Sequence, residues 1–188
     1  NISYANGTLT INRANLTITA NSTSTQYGLG TTLGSTAFTT SGLQNGETIG
    51  NVTLASSGSA NTTNAGSYNI TATGAANGSF TASNYNISYA NGTLTVTPAN
   101  ITLTADNLSR TYGSANPTTD TVSVTSGSLY NGNALGNASV STTATNTTAA
   151  GQTANLTASG VAFTNGSASN YNISYANGTL TINRANLT

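Results

Sequence analysis

Residues 85–98 read YNISYANGTLTVTP, and the parsing of the whole chain follows from this stretch. It returns almost letter for letter as NISYANGTLTINR at 1–13 and as YNISYANGTLTINR at 171–184. Asn1 maps onto Asn86 and Asn86 onto Asn172, steps of 85 and 86 residues. A match this long at a near-constant period is a tandem repeat. The stretch also reads as a β-hairpin, because Asn91-Gly92 is the favoured pair for a two-residue type I′ turn, in which both residues need positive φ. Closed on that turn, Tyr89 faces Leu94 and Ile87 faces Val96 on one apolar face. Asn86, Ser88, Thr93, Thr95 and Thr97 then share the other, and a one-residue slip would exchange the two.

Working outward, residues 1–13 are the closing hairpin of a preceding repeat, 14–98 and 99–184 are complete repeats, and 185–188 open another. Each complete repeat starts with an alternating strand in which Leu16 and Ile18, or Ile101 and Leu103, point one way. A Tyr-Gly pair follows (Tyr27-Gly28, Tyr112-Gly113) in a Ser/Gly-rich loop. Strands are then expected at 37–40 and 121–125. GLQNGETIGNV at 42–52 and SLYNGNALGNA at 128–138 are too short and Gly-rich for a long helix, and fit a helical turn or a wide loop. Further strands are expected at 52–55, 67–73 and 155–159. That makes about five or six short strands per repeat, enough for a small core. The connection between repeats is only TPAN or NRAN, which predicts a semi-rigid rod.

Composition removes most function classes. Only 3% of the 188 residues are charged, the net charge is zero, and His, Cys, Met and Trp are absent. Such a surface has no field to attract nucleic acid or acidic lipid. Apolar residues stand singly between Thr, Ser and Asn, and no run approaches the roughly 18 needed for a membrane span. Disorder is the competing reading of so polar a chain, but disordered chains lack the alternating β-branched residues seen here.

The order LTITA-like strand, Tyr-Gly loop, GL-x-NG-x-T turn, AGSYNITATG and SNYNISYANGTLTVTP resembles the MBG/YDG-type repeats of large bacterial adhesins, including filamentous-haemagglutinin-like exoproteins of two-partner secretion. The resemblance spans the whole chain and is most specific at 83–98, at 169–184 and at the Tyr-Gly pairs. It departs at GQTAN (151–155), which has no aromatic to match Tyr68. The resemblance implies a mostly β chain of tandem small β modules, β-grasp-like, with an Ig-like β-sandwich as the alternative. It also implies export, an extracellular place at the bacterial cell surface (attached to the outer membrane or in a biofilm matrix), and a role in adhesion. It carries over no catalytic residue.

The residues agree with that last point. Ser and Thr are abundant, but no His, Lys or Cys is present to activate a nucleophile. Asp106 and Asp120 are conceivable as a glycosidase pair, yet the first repeat has Asn21 and a non-acidic position in their places. Three acids in the chain cannot supply a calcium cage in each repeat. No enzyme activity, cofactor or metal is expected. Tyr4, Tyr89 and Tyr175 look like a sugar-stacking platform, but the hairpin register assigns them to the core. For Tyr27 and Tyr112 core or corner packing is likewise the expectation.

One signal exceeds what the repeat requires. Of 28 Asn, 19 stand in N-x-[ST] with x not Pro: Asn1, Asn6, Asn15, Asn21, Asn51, Asn61, Asn69, Asn77, Asn86, Asn91, Asn100, Asn107, Asn137, Asn146, Asn155, Asn165, Asn172, Asn177 and Asn186. Strand alternation alone places Asn and Thr two apart, but in both directions equally. The reverse order, [ST]-x-N, occurs for eight of the 27 Asn with a residue two before, which is background in a chain where 62 of 188 residues are Ser or Thr. Alternation therefore does not explain the excess. The expectation is that many of these Asn carry covalent N-linked sugars, supplying hydration that charge does not and shielding strand edges. Some adhesins of the resembling class are modified in this way by a cytoplasmic N-glucosyltransferase. The other partners expected are neighbouring repeats of the same chain and host-cell or matrix glycans, with no nucleic acid and no membrane span. The leading reading is a structural stalk segment. Its alternatives are a glycan- or receptor-binding module and a self-assembling extracellular fibre.

Overall fold

The computed structural model describes residues 1–186; Leu187 and Thr188, within the expected opening of another repeat, lie outside the described residues. The first repeat forms β1 (Ala14–Ala20), β2 (Thr23–Gln26), β3 (Phe38–Ser41), β4 (Ile49–Ala55), β5 (Gly66–Gly78), a 3-10 turn at Ala82–Asn84, β6 (Tyr85–Ala90) and β7 (Gly92–Thr97). They lie in a three-stranded sheet, β3-β1-β6, and a four-stranded one, β2-β7-β5-β4. The second repeat forms β8 (Ala99–Ala105), β9 (Leu108–Thr111), β10 (Thr119–Asp120), β11 (Val122–Ser126), β12 (Ala134–Leu135), β13 (Ala138–Ser141), β14 (Thr153–Ser159), β15 (Phe163–Asn165), a 3-10 turn at Ala168–Asn170, β16 (Tyr171–Ala176) and β17 (Gly178–Asn183). Its sheets are β11-β8-β16, β10-β13-β14-β17-β9 and the short pair β12-β15. The chain is thus mostly β and built as tandem small β modules.

Alternation explains the layers. In β1 and β8 every second side chain, Leu16 and Ile18 or Ile101 and Leu103, is almost fully buried while Asn15, Thr17 and Asn100 face away. In the first repeat Leu16, Ile18 and Ala20 from one sheet meet Val52, Ile70, Ala72 and Leu94 from the other in one core. Each such Leu or Ile contributes about 1.5–3 kcal/mol by leaving water. The described residues contain no α-helix, so the helix of a β-grasp has no counterpart. The layers are those of the sandwich alternative, though with mixed sheets: β1 pairs parallel with β6, and β8 with β16.

The hairpin expected at 85–98 is not formed. β6 and β7 follow one another across Asn91, but they belong to different sheets. Neither Asn91 nor Gly92 has positive φ, whereas Asn45-Gly46, Asn77-Gly78 and Asn131-Gly132 do at both positions. The chain therefore arches from one sheet to the other. Parallel pairing with β1, from Ala14↔Tyr85 to Thr19↔Ala90, holds β6 in the first sheet, while β7 lies between β2 and β5 with both its edges taken. Gly92 is required here for space: a Cβ would sit 2.5 Å from the Ala20 carbonyl oxygen. Because both strands turn their apolar residues to the same core, Leu94 and Val96 are still buried as their alternation predicts.

Two further expectations change with it. Residues 1–13, expected as a closing hairpin, contain no strand and are exposed throughout. Among the described residues, no strands equivalent to β1 and β5, which hold the other two copies, pair with this one. Tyr4, Tyr89 and Tyr175 are not core residues, being 92%, 38% and 36% exposed. The core position on that strand is its first residue, Tyr85 or Tyr171. The Tyr89 and Tyr175 hydroxyls instead accept hydrogen bonds from the backbone N–H of Ala75 and Val161, both at 3.0 Å.

The chain divides into two compact units: Asn1–Thr25 with Thr31–Ala60 and Ser67–Thr95, and Gln26–Gly30 with Asn61–Gly66 and Val96–Thr188. Two loops from the first repeat's sequence are thus part of the second unit.

Candidate functional site

Nine of the 19 sequon asparagines lie on strands, and the other ten lie in turns, loops or the strandless residues 1–13. On an alternating strand whose Leu and Ile face the core, the Asn between them faces out. Of the 19, 18 are exposed and only Asn51 is half-buried. Asn186 is itself exposed, but its Thr188 lies outside the described residues. Parallel register then brings some of them together. Asn86 Nδ2 donates to Asn15 Oδ1 at 3.4 Å and Asn172 Nδ2 to Asn100 Oδ1 at 2.9 Å, and across the antiparallel pair of β4 and β5 Asn77 Nδ2 donates to Asn51 Oδ1 at 3.2 Å. Asn107 is engaged differently, its Oδ1 accepting from the Thr179 N–H at 2.8 Å.

The Asn without a sequon include those that build the interior. Asn170 is 2% exposed; its Oδ1 accepts from the Ala65 N–H and its Nδ2 donates to Asn64 Oδ1, both at 2.9 Å. Asn133 Oδ1 accepts from the Tyr171 hydroxyl at 2.8 Å and from the Tyr27 hydroxyl at 3.1 Å. Asn116 accepts from buried Arg110 Nε at 2.8 Å and donates to the Ala144 carbonyl at 2.6 Å. Asn170 is buried and Asn116 and Asn133 are half-buried, and an amide taken out of water needs hydrogen-bond partners, so these three are committed to structure. Reading the sequence for motifs alone misses them. Their one sequence mark is that none stands in a sequon: Asn133 and Asn170 have no Ser or Thr two positions on, and Asn116 is followed by Pro117.

The charged groups serve the fold as well. The Thr121 hydroxyl, and then that of Ser123, donate to Asp106 at 2.6 and 2.7 Å and hold its carboxyl below the usual range. Tyr85 donates to Glu47, and this bond is the main reason its phenol is pushed above 10.0. Among the described residues no three or more His, Cys, Asp or Glu cluster as metal ligands would. A cleft of about 440 Å³ in the first unit is lined by Leu33, Asn51, Val52 and Leu54 with small polar neighbours. It has no aromatic ring on which a sugar could stack. Among the described residues no helix is long and apolar enough to cross a membrane.

No curated protein and no solved structure matches this chain. The family model of the MBG domain (YGX type) matches it twice, at residues 16–95 and 101–181, with the Tyr-Gly pairs inside the two spans. Repeats of this type are consistent with an adhesin-like extracellular chain. With both repeats matched over nearly their whole length, the chain belongs to the MBG domain family, YGX type.

Proposed function

We propose that this chain is a structural stalk segment of a secreted, surface-attached adhesin, N-glycosylated on its exposed sequons. The observation that carries the reading is the exposure of the sequons: 18 of the 19 sequon Asn are exposed, while buried Asn170 and half-buried Asn116 and Asn133 stand outside sequons and half-buried Asn51 is the exception. A transferase needs an accessible Nδ2, and a glycan on a structural amide would break its bonds. Poverty of charge supports the same reading, since a surface with 3% charged residues lacks the usual means of staying hydrated and unassociated. Glycans would hydrate it and cover the edge strands.

Intact mass spectrometry of protein from its native source is the test. Hexose-sized increments are expected, mapping to exposed sequons. A mass equal to the bare polypeptide would overturn the reading. The Asn15/Asn86 and Asn100/Asn172 pairs refine it: with the amides in hydrogen-bond contact, a sugar on one member crowds the other. Each pair is expected to carry one glycan, and peptide mapping that finds both sites fully occupied together would refute the pairing.

A further inference from the structure

The two Tyr-Gly loops have the same backbone and opposite surroundings. The Tyr27 N–H donates to the Thr97 carbonyl at 2.8 Å and the Leu29 N–H to that of Gln26 at 3.1 Å; the Tyr112 N–H donates to Asn183 at 2.9 Å and the Ser114 N–H to Thr111 at 3.1 Å. Gly28 and Gly113 have φ of 90° and 87°. Yet Tyr27 is 3% exposed and Tyr112 45%.

The difference lies in what surrounds Tyr27 within the second unit. Its ring meets those of Tyr171 and Tyr130 edge-on, with centroids 5.5 and 6.3 Å away, and its hydroxyl donates to Asn133. The Tyr130 ring lies so close on Gly28 that a Cβ there would be 2.1 Å from Tyr130 Cγ. A second prong enters beside it: Asn131 Nδ2 donates to the Asn61 carbonyl at 2.9 Å, and Asn170 holds Asn64 and Ala65. Edge-to-face rings and satisfied buried amides are the marks of a specific, well-packed socket.

The second repeat carries both prongs of its own, unoccupied by such a socket. Tyr112 and Gly113 are exposed, and nothing lies within 4 Å of a Cβ on Gly113. The counterpart of Asn61 is Asn146, whose carbonyl accepts from the Gly113 N–H at 3.1 Å, so the two prongs are already held together. We propose that the surface formed by Tyr112, Gly113 and the Asn146 loop docks a further repeat of this kind following in tandem. That repeat would receive Tyr112 in a socket equivalent to Tyr130, Asn133, Asn170 and Tyr171. Continuity with the arrangement around Tyr27 identifies the occupant: the same loop, in the same conformation, is received by the repeat that follows it in sequence. The Tyr-Gly pair is on this reading a plug read by the next repeat, and Gly is needed because the socket ring lies on its backbone.

The test extends the full chain by a further copy of residues 103–184, which continues the repeat that 185–188 open, and reads tyrosine exposure by tetranitromethane nitration and peptide mass spectrometry. In the 188-residue chain Tyr112 is expected to be nitrated and Tyr27 protected. In the extended chain the nitration rate of Tyr112 should fall by about tenfold or more, the factor that ~1.4 kcal/mol of docking supplies. Tyr130→Ala with Asn133→Ala, made in the added copy only, should restore it. Equal reactivity of Tyr112 in both chains, or protection that survives the socket substitutions, would overturn the proposal. Protection that arises in the unextended chain on raising its concentration, without any from the added copy, would overturn it in favour of association between chains. A second measurement does not depend on the added copy folding: Tyr27→Ala should expose Tyr171 to nitration and Tyr112→Ala should not. A Tyr171 equally protected in both variants would remove the socket itself.

Discussion

Residues 1–13 and 172–184 are identical in sequence and share almost nothing in structure. The first copy has no strand, with Tyr4, Leu9 and Ile11 between 85% and 92% exposed. The second forms β16 and β17, with Leu180 at 0% and Ile182 at 1%. The difference is one of partners. β16 lies against β8, and β17 between β14 and β9, and among the described residues no such strands pair with residues 1–13. A local pattern of alternation and an Asn-Gly pair therefore does not form structure on its own here; tertiary pairing does.

Matched substitutions in the two copies can break or sharpen this comparison, each member controlling for the other. Leu180→Ala should destabilise the second repeat by about 2–5 kcal/mol, the range for emptying a buried leucine site, while Leu9→Ala should stay within about 0.5 kcal/mol, as surface changes do. Urea unfolding monitored by hydrogen exchange in each repeat separates the two, and equal effects would mean that residues 1–13 are structured after all. Gly178→Ala comes next. Its Cβ would meet the Ala105 carbonyl oxygen at 2.2 Å, whereas a Cβ at Gly7 has nothing within 4 Å. The expected cost is about 1–3 kcal/mol against none for Gly7→Ala, in the same assay. Tyr175→Phe removes the acceptor for the Val161 N–H and should cost about 1 kcal/mol, with Tyr4→Phe silent.

The smallest effect is electrostatic. Donation from Thr121 and Ser123 depresses the Asp106 carboxyl. Its contribution is therefore complete above the unfolded aspartate pKa of about 3.9 and disappears as pH falls through the lower folded value. The second repeat should lose a little stability on acidification below about pH 4. Asp106→Asn should remove that dependence, and a profile unchanged by the substitution would show that the bonds do not favour the charged form.

Much of the fold was legible because burial obeys alternation. Leu16 and Ile18, Ile101 and Leu103, Leu94 and Val96 all face the core as their period of two requires. Which strand pairs with which was not legible. Asn91-Gly92 carries the strongest local hairpin signal, but its glycine answers to the Ala20 carbonyl, whereas Asn45-Gly46 and Asn131-Gly132 are the pairs that turn. Local preference cannot distinguish these uses, since the deciding atom is some 70 residues away in the chain. The candidate surface divides likewise. The exposure of the sequon Asn that lie on strands follows from alternation, but the roles of Asn133 and Asn170 depend on loops distant in sequence. No motif records those contacts.

The parallel pairs have a mechanical consequence. The first strand of the second repeat, β8, runs parallel to β16 over six residue pairs, and β9 runs parallel to the last strand, β17, over four. A pull on the two ends of the repeat draws β8 backwards along β16 and β17 forwards along β9. The hydrogen bonds between them are then loaded in shear, all together, rather than peeled one at a time as at the open end of a hairpin. Tension enters the repeat where it meets the most bonds at once. A hairpin at 172–183 would instead have left β17 to unzip from its open end.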